Sequence, residues 1–82
     1  MTHEIKLNKE FADAVFKGEK PFEIRFNDRG YQRGDYIKFQ VMDGMFRENH
    51  PLNDILFEIT YVLNGWGLQD GYVALGIKKK EQ

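Results

Sequence analysis

Apolar and polar residues alternate along most of this chain, and the alternation marks where its strands lie. Across residues 36–42 it is strict, with Ile37, Phe39 and Val41 on one side and Lys38 and Gln40 on the other. That is the period of two expected of a half-buried strand. Phe22, Ile24 and Phe26 repeat it across residues 21–27, and both apolar rows are expected to face the core. Residues 4–7 predict a short first strand with Ile5 and Leu7 inward, and residues 71–77 a last one with Val73, Leu75 and Ile77 inward. Residues 54–63 predict the longest strand, built on Ile55, Phe57, Ile59, Tyr61 and Leu63. Leu56 and Val62 break its pattern, which points to a second, partly covered face of the kind that forms where a sheet curls toward a barrel.

Between the first two strands the period changes. Phe11, Ala14 and Val15 recur at helical spacing, so residues 9–17 predict a helix that lays this stripe on the sheet. Asn8 suits its N-cap, Glu10 the positive end of its dipole and Gly18 the position just past its end. Gly30 and Gly34 mark two turns. The Arg33-Gly34-Asp35 tripeptide is accounted for by the second of these turns and is not read as an adhesion motif. Residues 43–53, with Gly44 and Pro51, predict a loop, residues 64–67 another, and residues 78–82 a fraying, solubilising tail. The expected fold is α+β and mainly β: a single domain over residues 1–82, a small curled β-barrel of about five mostly antiparallel strands with one covering helix after the first strand.

Composition narrows the possibilities. The chain is 41% hydrophobic and 15% aromatic, enough to build a core from a few large side chains. It has no cysteine, hence no disulfide framework, thiolate metal site or cysteine nucleophile. Neither a basic, apolar leader nor a membrane-length apolar run is present, so a soluble cytoplasmic protein without membrane contact is expected. The net charge of −1 offers no broad attraction to a polyanion, so any nucleic acid must be held locally. Lys20, Arg25, Arg29 and Arg33 could contact one or two phosphates, although surface salt-bridging explains the same cluster.

Chemistry concentrates on the polar face of the second strand. Lys20, Glu23, Arg25, Asn27, Asp28 and Arg29 put two acids, three bases and an amide into one short span. Arg25 suits a forked contact to phosphate or carboxylate, Lys20 supplies a point charge, and Glu23 can accept from the amino group of a base. An ion-pair network in which Glu23 only neutralises its neighbours is the alternative. Trp66, the only tryptophan, could stack on a base or plug one end of the barrel. His3 and His50 have no ligand or acid partner close in sequence and are expected in solvent. With no cysteines and two distant histidines, neither a metal site nor a cofactor is expected.

Gly18, Lys20, Glu23 and Arg25 match the Gly-x-Lys-x-x-Glu-x-Arg pattern of the ASCH domains, a branch of the PUA-like superfamily. Together with Asn27-Asp28-Arg29, Gly34-Asp35, Ile59-Thr60-Tyr61 and Gly71-Tyr72-Val73, the chain resembles a small bacterial and phage branch of that superfamily, the DUF3850-like domains of unknown function. The resemblance implies a PUA-like barrel and a cleft, lined by the motif positions, for single-stranded RNA or a modified nucleoside; a monomer or weak dimer is expected. The superfamily also holds an acetylcytidine amidohydrolase with a lysine, a threonine nucleophile and a glutamate. Lys20 matches that lysine, but Glu23 stands at the threonine position. A hydrolase using Lys20 and Glu23 is thus an alternative to a binding module without catalysis, and an accessory domain that binds protein through the Trp66 loop is another.

Overall fold

A computed structural model describes residues 1–80. Along the chain it has β1 (Thr2–Asn8), α1 (Lys9–Phe16), β2 (Phe22–Phe26), β3 (Tyr36–Asp43), β4 (Phe46–Arg47), a 3-10 turn (Pro51–Asp54), β5 (Leu56–Asn64) and β6 (Tyr72–Lys79). The strands form one sheet in the order β1-β3-β5-β6-β2, with β4 added beside β3. β1 runs parallel to β3 and every other pair is antiparallel. A parallel neighbour requires a crossover; this one runs through α1, which packs against β1 and β3, and through β2 at the far end of the sheet before the chain returns as β3.

The fold is therefore α+β and mainly β, but the expected five-stranded barrel is corrected to a six-stranded sheet that does not close. The reason lies at its two ends. The Met1 carbonyl accepts from the Tyr36 amide, so the odd-numbered residues of β1 aim their backbone at β3 and the even-numbered ones aim away. Likewise Pro21 and Asn27 bond to Ile77 and Gly71, which turns the backbone of Phe22, Ile24 and Phe26 away from β6. The two open edges are linked by side chains in place of a ladder: Arg25 donates to the Lys6 carbonyl, and Arg29 Nη1 donates to the Glu4 carbonyl at 2.9 Å.

Ile37, Phe39 and Val41 are buried with Ile5, Leu7, Phe57, Ile59, Val73, Leu75 and Ile77 in one core. The β2 row is the reverse of expectation. Phe22, Ile24 and Phe26 are 43%, 53% and 54% exposed, whereas Glu23 is only 3% exposed. Alternation gives a strand but does not say which row faces inward. Here the inner row meets the open edge of β1, where Arg25 donates to the Lys6 carbonyl and Glu23 accepts from Arg25 and Lys20.

Other expectations are corrected for equally local reasons. α1 buries Ala12 and Val15, while Ala14 is half-buried and Phe11 exposed. Asn8 occupies the N-cap without a side-chain bond, and Gly18 adopts a φ of +79° just past the helix. In β5, Ile59 pairs with Ile77 and Tyr61 with the adjacent Gly76, leaving Thr60 in a bulge. The bulge inverts the pattern, so Tyr61 is exposed and Val62 packs on the core.

Both histidines are engaged. His3 Nε2 lies 2.8 Å from Asp35 Oδ2, with its ring edge-on to the buried Tyr31. His50 Nε2 lies 2.9 Å from Asp13 Oδ1, and its Nδ1 accepts the Leu52 amide at 3.0 Å. The expected loop over residues 43–53 thus contains a small hairpin and a pinned turn. Lys78 and Lys79 belong to β6, and Lys80 donates to the Tyr36 hydroxyl at 2.9 Å. Of the expected tail, Glu81 and Gln82 lie outside the described residues. No helix among the described residues is long and apolar enough to cross a membrane.

Candidate functional site

The seam between β1 and β2 holds the densest chemistry in the molecule. Gly18 reverses the chain after α1 and brings Lys20 back beside β2. There Nζ lies 2.6 Å from Glu23 Oε1 and donates to the Phe22 carbonyl at 3.0 Å. The same ammonium stands 5.3 Å from the Phe11 ring centre and 4.9 Å from that of Phe22, within the range where a cation is attracted to an aromatic face. Phe11 and Phe22 therefore stay out of the core but are not idle, because they flank this ammonium.

Glu23 sits beneath. Arg25 Nε donates to its second oxygen at 3.0 Å, and the other end of the guanidinium reaches the Lys6 carbonyl. Each carboxylate oxygen thus has its own cation, an arrangement that offsets the cost of burying the charge. Around this triad lies a cavity of about 510 Å³ lined also by Lys6, Phe11, Phe22, Phe26 and Tyr72. Three cations (Lys6, Lys20, Arg25) face one carboxylate, so the cavity is locally basic in a chain whose net charge is −1.

The remaining candidates are placed elsewhere. Arg29 reaches across the seam to the Glu4 carbonyl and does not line the cavity. Asn27 accepts the Tyr31 amide on its side chain at 2.9 Å and, with Asp70, lines a separate hollow beside the β5–β6 loop. Asp28 is exposed in the turn after β2, its amide donating to the Phe26 carbonyl, and Arg33 is exposed in the next turn. Trp66 is 90% exposed, has a φ of +53° and is not part of the cavity lining. The motif strand thus brings Lys20, Glu23 and Arg25 together and leaves Asn27, Asp28, Arg29 and Trp66 outside.

Sequence reasoning missed Lys6 and the aromatic walls. The available signal was that Lys6 and Asn8 belong to the polar row of β1. It also missed Tyr31, which is buried next to the charged group. Burial pushes its hydroxyl pKa up, and Arg25 and Arg29 oppose that shift. Beyond the seam, Asp35 is held below the usual carboxylate range chiefly by its bond to His3. Among the described residues no group of three or more His, Asp and Glu side chains is placed to hold a metal.

Comparison with known proteins places the chain in a family and shows its fold in a solved structure. The chain is 42% identical over 45 residues to an "Uncharacterized 12.9 kDa protein in GpA 3'region" of Escherichia phage P2, a match covering 54% of this chain and 41% of that protein. The chain thus spans about two-fifths of that relative's length. Its fold is shared by a crystal structure of "hypothetical protein PH0355", with a TM-score of 0.63, 17% identity, and coverage of 98% of this chain and 100% of that one. Residues 2–77 match the family described as "Domain of unknown function (DUF3850)", and the chain belongs to that family.

Proposed function

We propose that the cleft recognises one flat, polar ring, either a modified nucleoside or an unpaired base of single-stranded RNA, in the way implied by the chain's likeness to ASCH-type, PUA-like domains. The observation that carries this reading is Glu23, a buried carboxylate fixed between Lys20 and Arg25 and surrounded by aromatic walls. A base stacks on an aromatic face with little regard to its identity. A fixed carboxylate accepts from an exocyclic amino group and so favours some bases over others. The excess of cations suits a neighbouring phosphate. At about 510 Å³ the cavity falls within the usual range for small-ligand sites.

Calorimetric titration with nucleoside monophosphates and short single-stranded RNAs tests this. Lys20→Gln and Arg25→Gln are expected to weaken binding about tenfold or more, since each removes a charge-assisted contact. Trp66→Ala is expected to leave mononucleotide binding unchanged, and to weaken longer RNA only if the strand reaches the β5–β6 loop. Wild-type protein that binds none of these ligands overturns the reading.

The 2.6 Å contact between Lys20 Nζ and Glu23 Oε1 is the one feature favouring a hydrolase. Against it, both Glu23 oxygens already serve cations, which suits an acceptor better than a base. The chain's two threonines, Thr2 and Thr60, lie outside the cavity lining. Incubation with acetylcytidine is expected to give no turnover. Turnover that disappears in Lys20→Ala would replace the binding module with an enzyme.

A further inference from the structure

On the outer face of the sheet, the β2 side chains Phe22, Ile24 and Phe26 stand in register with Gly76, Ala74 and Tyr72 of β6. Tyr61 and Leu63 of β5 continue the same rows beyond Gly76 and Ala74. The patch itself has no charged residue; at its margin Lys20 Nζ stands 4.9 Å from the Phe22 ring centre, and Phe22, Ile24, Phe26 and Tyr72 also border the cleft, so a partner on this face narrows the cleft mouth. Phe22, Ile24, Phe26 and Tyr61 are each between 43% and 58% exposed. An edge strand that shows an apolar face is a liability natural proteins normally cover.

We infer that a second copy of this chain covers it, packed face to face about a two-fold axis passing beside Ile24. The order Phe22-Ile24-Phe26 reads the same in both directions, so antiparallel packing sets Phe22 of one copy against Phe26 of the other and Ile24 against itself. β6 fits the same axis: its outward series Tyr72, Ala74, Gly76 meets its own inverse, and Tyr72 of each copy comes opposite Gly76 of the other, where the Thr60 hydroxyl lies over the glycine. A closed two-fold interface needs such self-complementarity, whereas an unrelated partner would not require it. Without charges in the patch, the two copies do not repel each other.

Area decides the strength. With roughly half of each large side chain open, the four offer on the order of 400 Å² of apolar surface per copy. With a normal polar rim this makes an interface near the lower bound of about 1,200 Å² in total for stable pairs. The dimer is accordingly weak, with a dissociation constant in the micromolar range.

Sedimentation equilibrium of the full chain over about 1–500 µM tests this, with circular dichroism of each variant to verify folding. The wild type is expected to dimerise. Ile24→Lys, which sets two cations together at the axis, is expected to raise the dissociation constant about 30-fold or more. Phe22→Glu alone and Phe26→Lys alone are also expected to weaken the dimer, and the double variant to recover at least tenfold because each new charge meets its opposite. A chain that stays monomeric overturns the inference, and flotation of that monomer with phosphatidylcholine vesicles would reassign the face to a lipid surface. A dimer indifferent to Ile24→Lys overturns it too, since its interface then lies elsewhere.

Discussion

β3 carries Ile37, Phe39 and Val41 at alternate positions, and β2 carries Phe22, Ile24 and Phe26 in the same way; yet the first row is fully buried while the second is about half exposed. The difference comes from their neighbours. β3 lies between β1 and β5; β5 pairs with its Tyr36–Lys38 end, and farther on the Val41 amide donates to Asn53 while the Val41 carbonyl accepts from Glu48, so its side chains remain to be sorted between core and solvent. β2 is terminal and faces the open edge of β1 across the seam. Along that edge Arg25 of the inner β2 row donates to the Lys6 carbonyl, and Glu23, which would be costly to bury unpaired, is held by Arg25 and Lys20. Where an edge needs donors, the charged row turns inward and the apolar row is displaced.

The sharpest way to break this comparison is to truncate one aromatic on each strand. Phe39→Ala is expected to cost about 3–5 kcal/mol in chemical denaturation, as for a phenylalanine removed from a packed core. Phe22→Ala is expected to cost less than about 1 kcal/mol. Similar losses at both positions would mean that the β2 row is core after all.

The triad gives the next largest effect. Glu23→Ala removes the carboxylate shared by two cations and is expected to cost about 2–3 kcal/mol, below the ~3–5 kcal/mol of a fully buried pair. The reduction follows from Lys20 and Arg25 keeping 20% and 26% of their side-chain surface in water. Glu23→Gln retains an acceptor and is expected to lose less. If Glu23→Ala leaves the denaturation midpoint unchanged, the triad is only a ligand site and the account of why β2 is inverted fails.

These two strands also mark how far the sequence could be read. The existence of β1, α1, β2, β3, β5 and β6 was legible, because periods of two and near four survive in the sequence whatever surrounds them. The pairing of Glu23 with Arg25 was legible from their alternate positions on one strand, and that of Lys20 from the motif that sets it just before that strand. Orientation was not, since it depends on β2 lying at the end of the sheet, a fact carried by pairings between distant residues. The same holds for Lys6 and Phe11, which come to the cleft from β1 and α1, and for His3 with Asp35 and His50 with Asp13. The bulge at Thr60 was visible only as failed alternation at Val62. The cause, two successive β5 pairs meeting adjacent residues of β6, becomes visible only with the partner strand.

A smaller effect is expected from the polar pair that ties the start of β1 to the start of β3. Asp35 lies below its ordinary value of 3.8, chiefly because of His3, with the Gln32 amide and the chain's amino terminus also lowering it. A carboxyl with a depressed folded-state pKa contributes stability that is present above the ordinary value and is lost as pH falls through the lower, folded one. The melting temperature of the wild type should therefore begin to drop as pH falls toward 3.8 and continue to drop below it. Asp35→Asn should start lower near neutral pH and fall less steeply over that window. Parallel curves for the two proteins would show that this anchor contributes nothing to acid stability, leaving the seam as the more important polar contact.

The smallest effect expected is the most direct measure of which way β2 faces. Ile24 and Ile37 are the isoleucines of the two rows, and replacing each by Thr keeps the branch at Cβ while exchanging an ethyl group for a hydroxyl. At Ile37, which has no exposed surface, the hydroxyl must be buried among apolar neighbours, at roughly 1–3 kcal/mol when it finds no partner. At Ile24, 53% exposed, it stays in water, and Thr retains a strand-favouring branch, so the change should fall within about 0.5 kcal/mol. Both variants should be unfolded in denaturant at a few micromolar or less, so that association through the outer face adds little to the folded state. A large loss at Ile24 under those dilute conditions would place its side chain in the core of the monomer. That outcome would remove the exposed apolar face and the inward carboxylate together, since the alternation of one strand cannot give up one without the other.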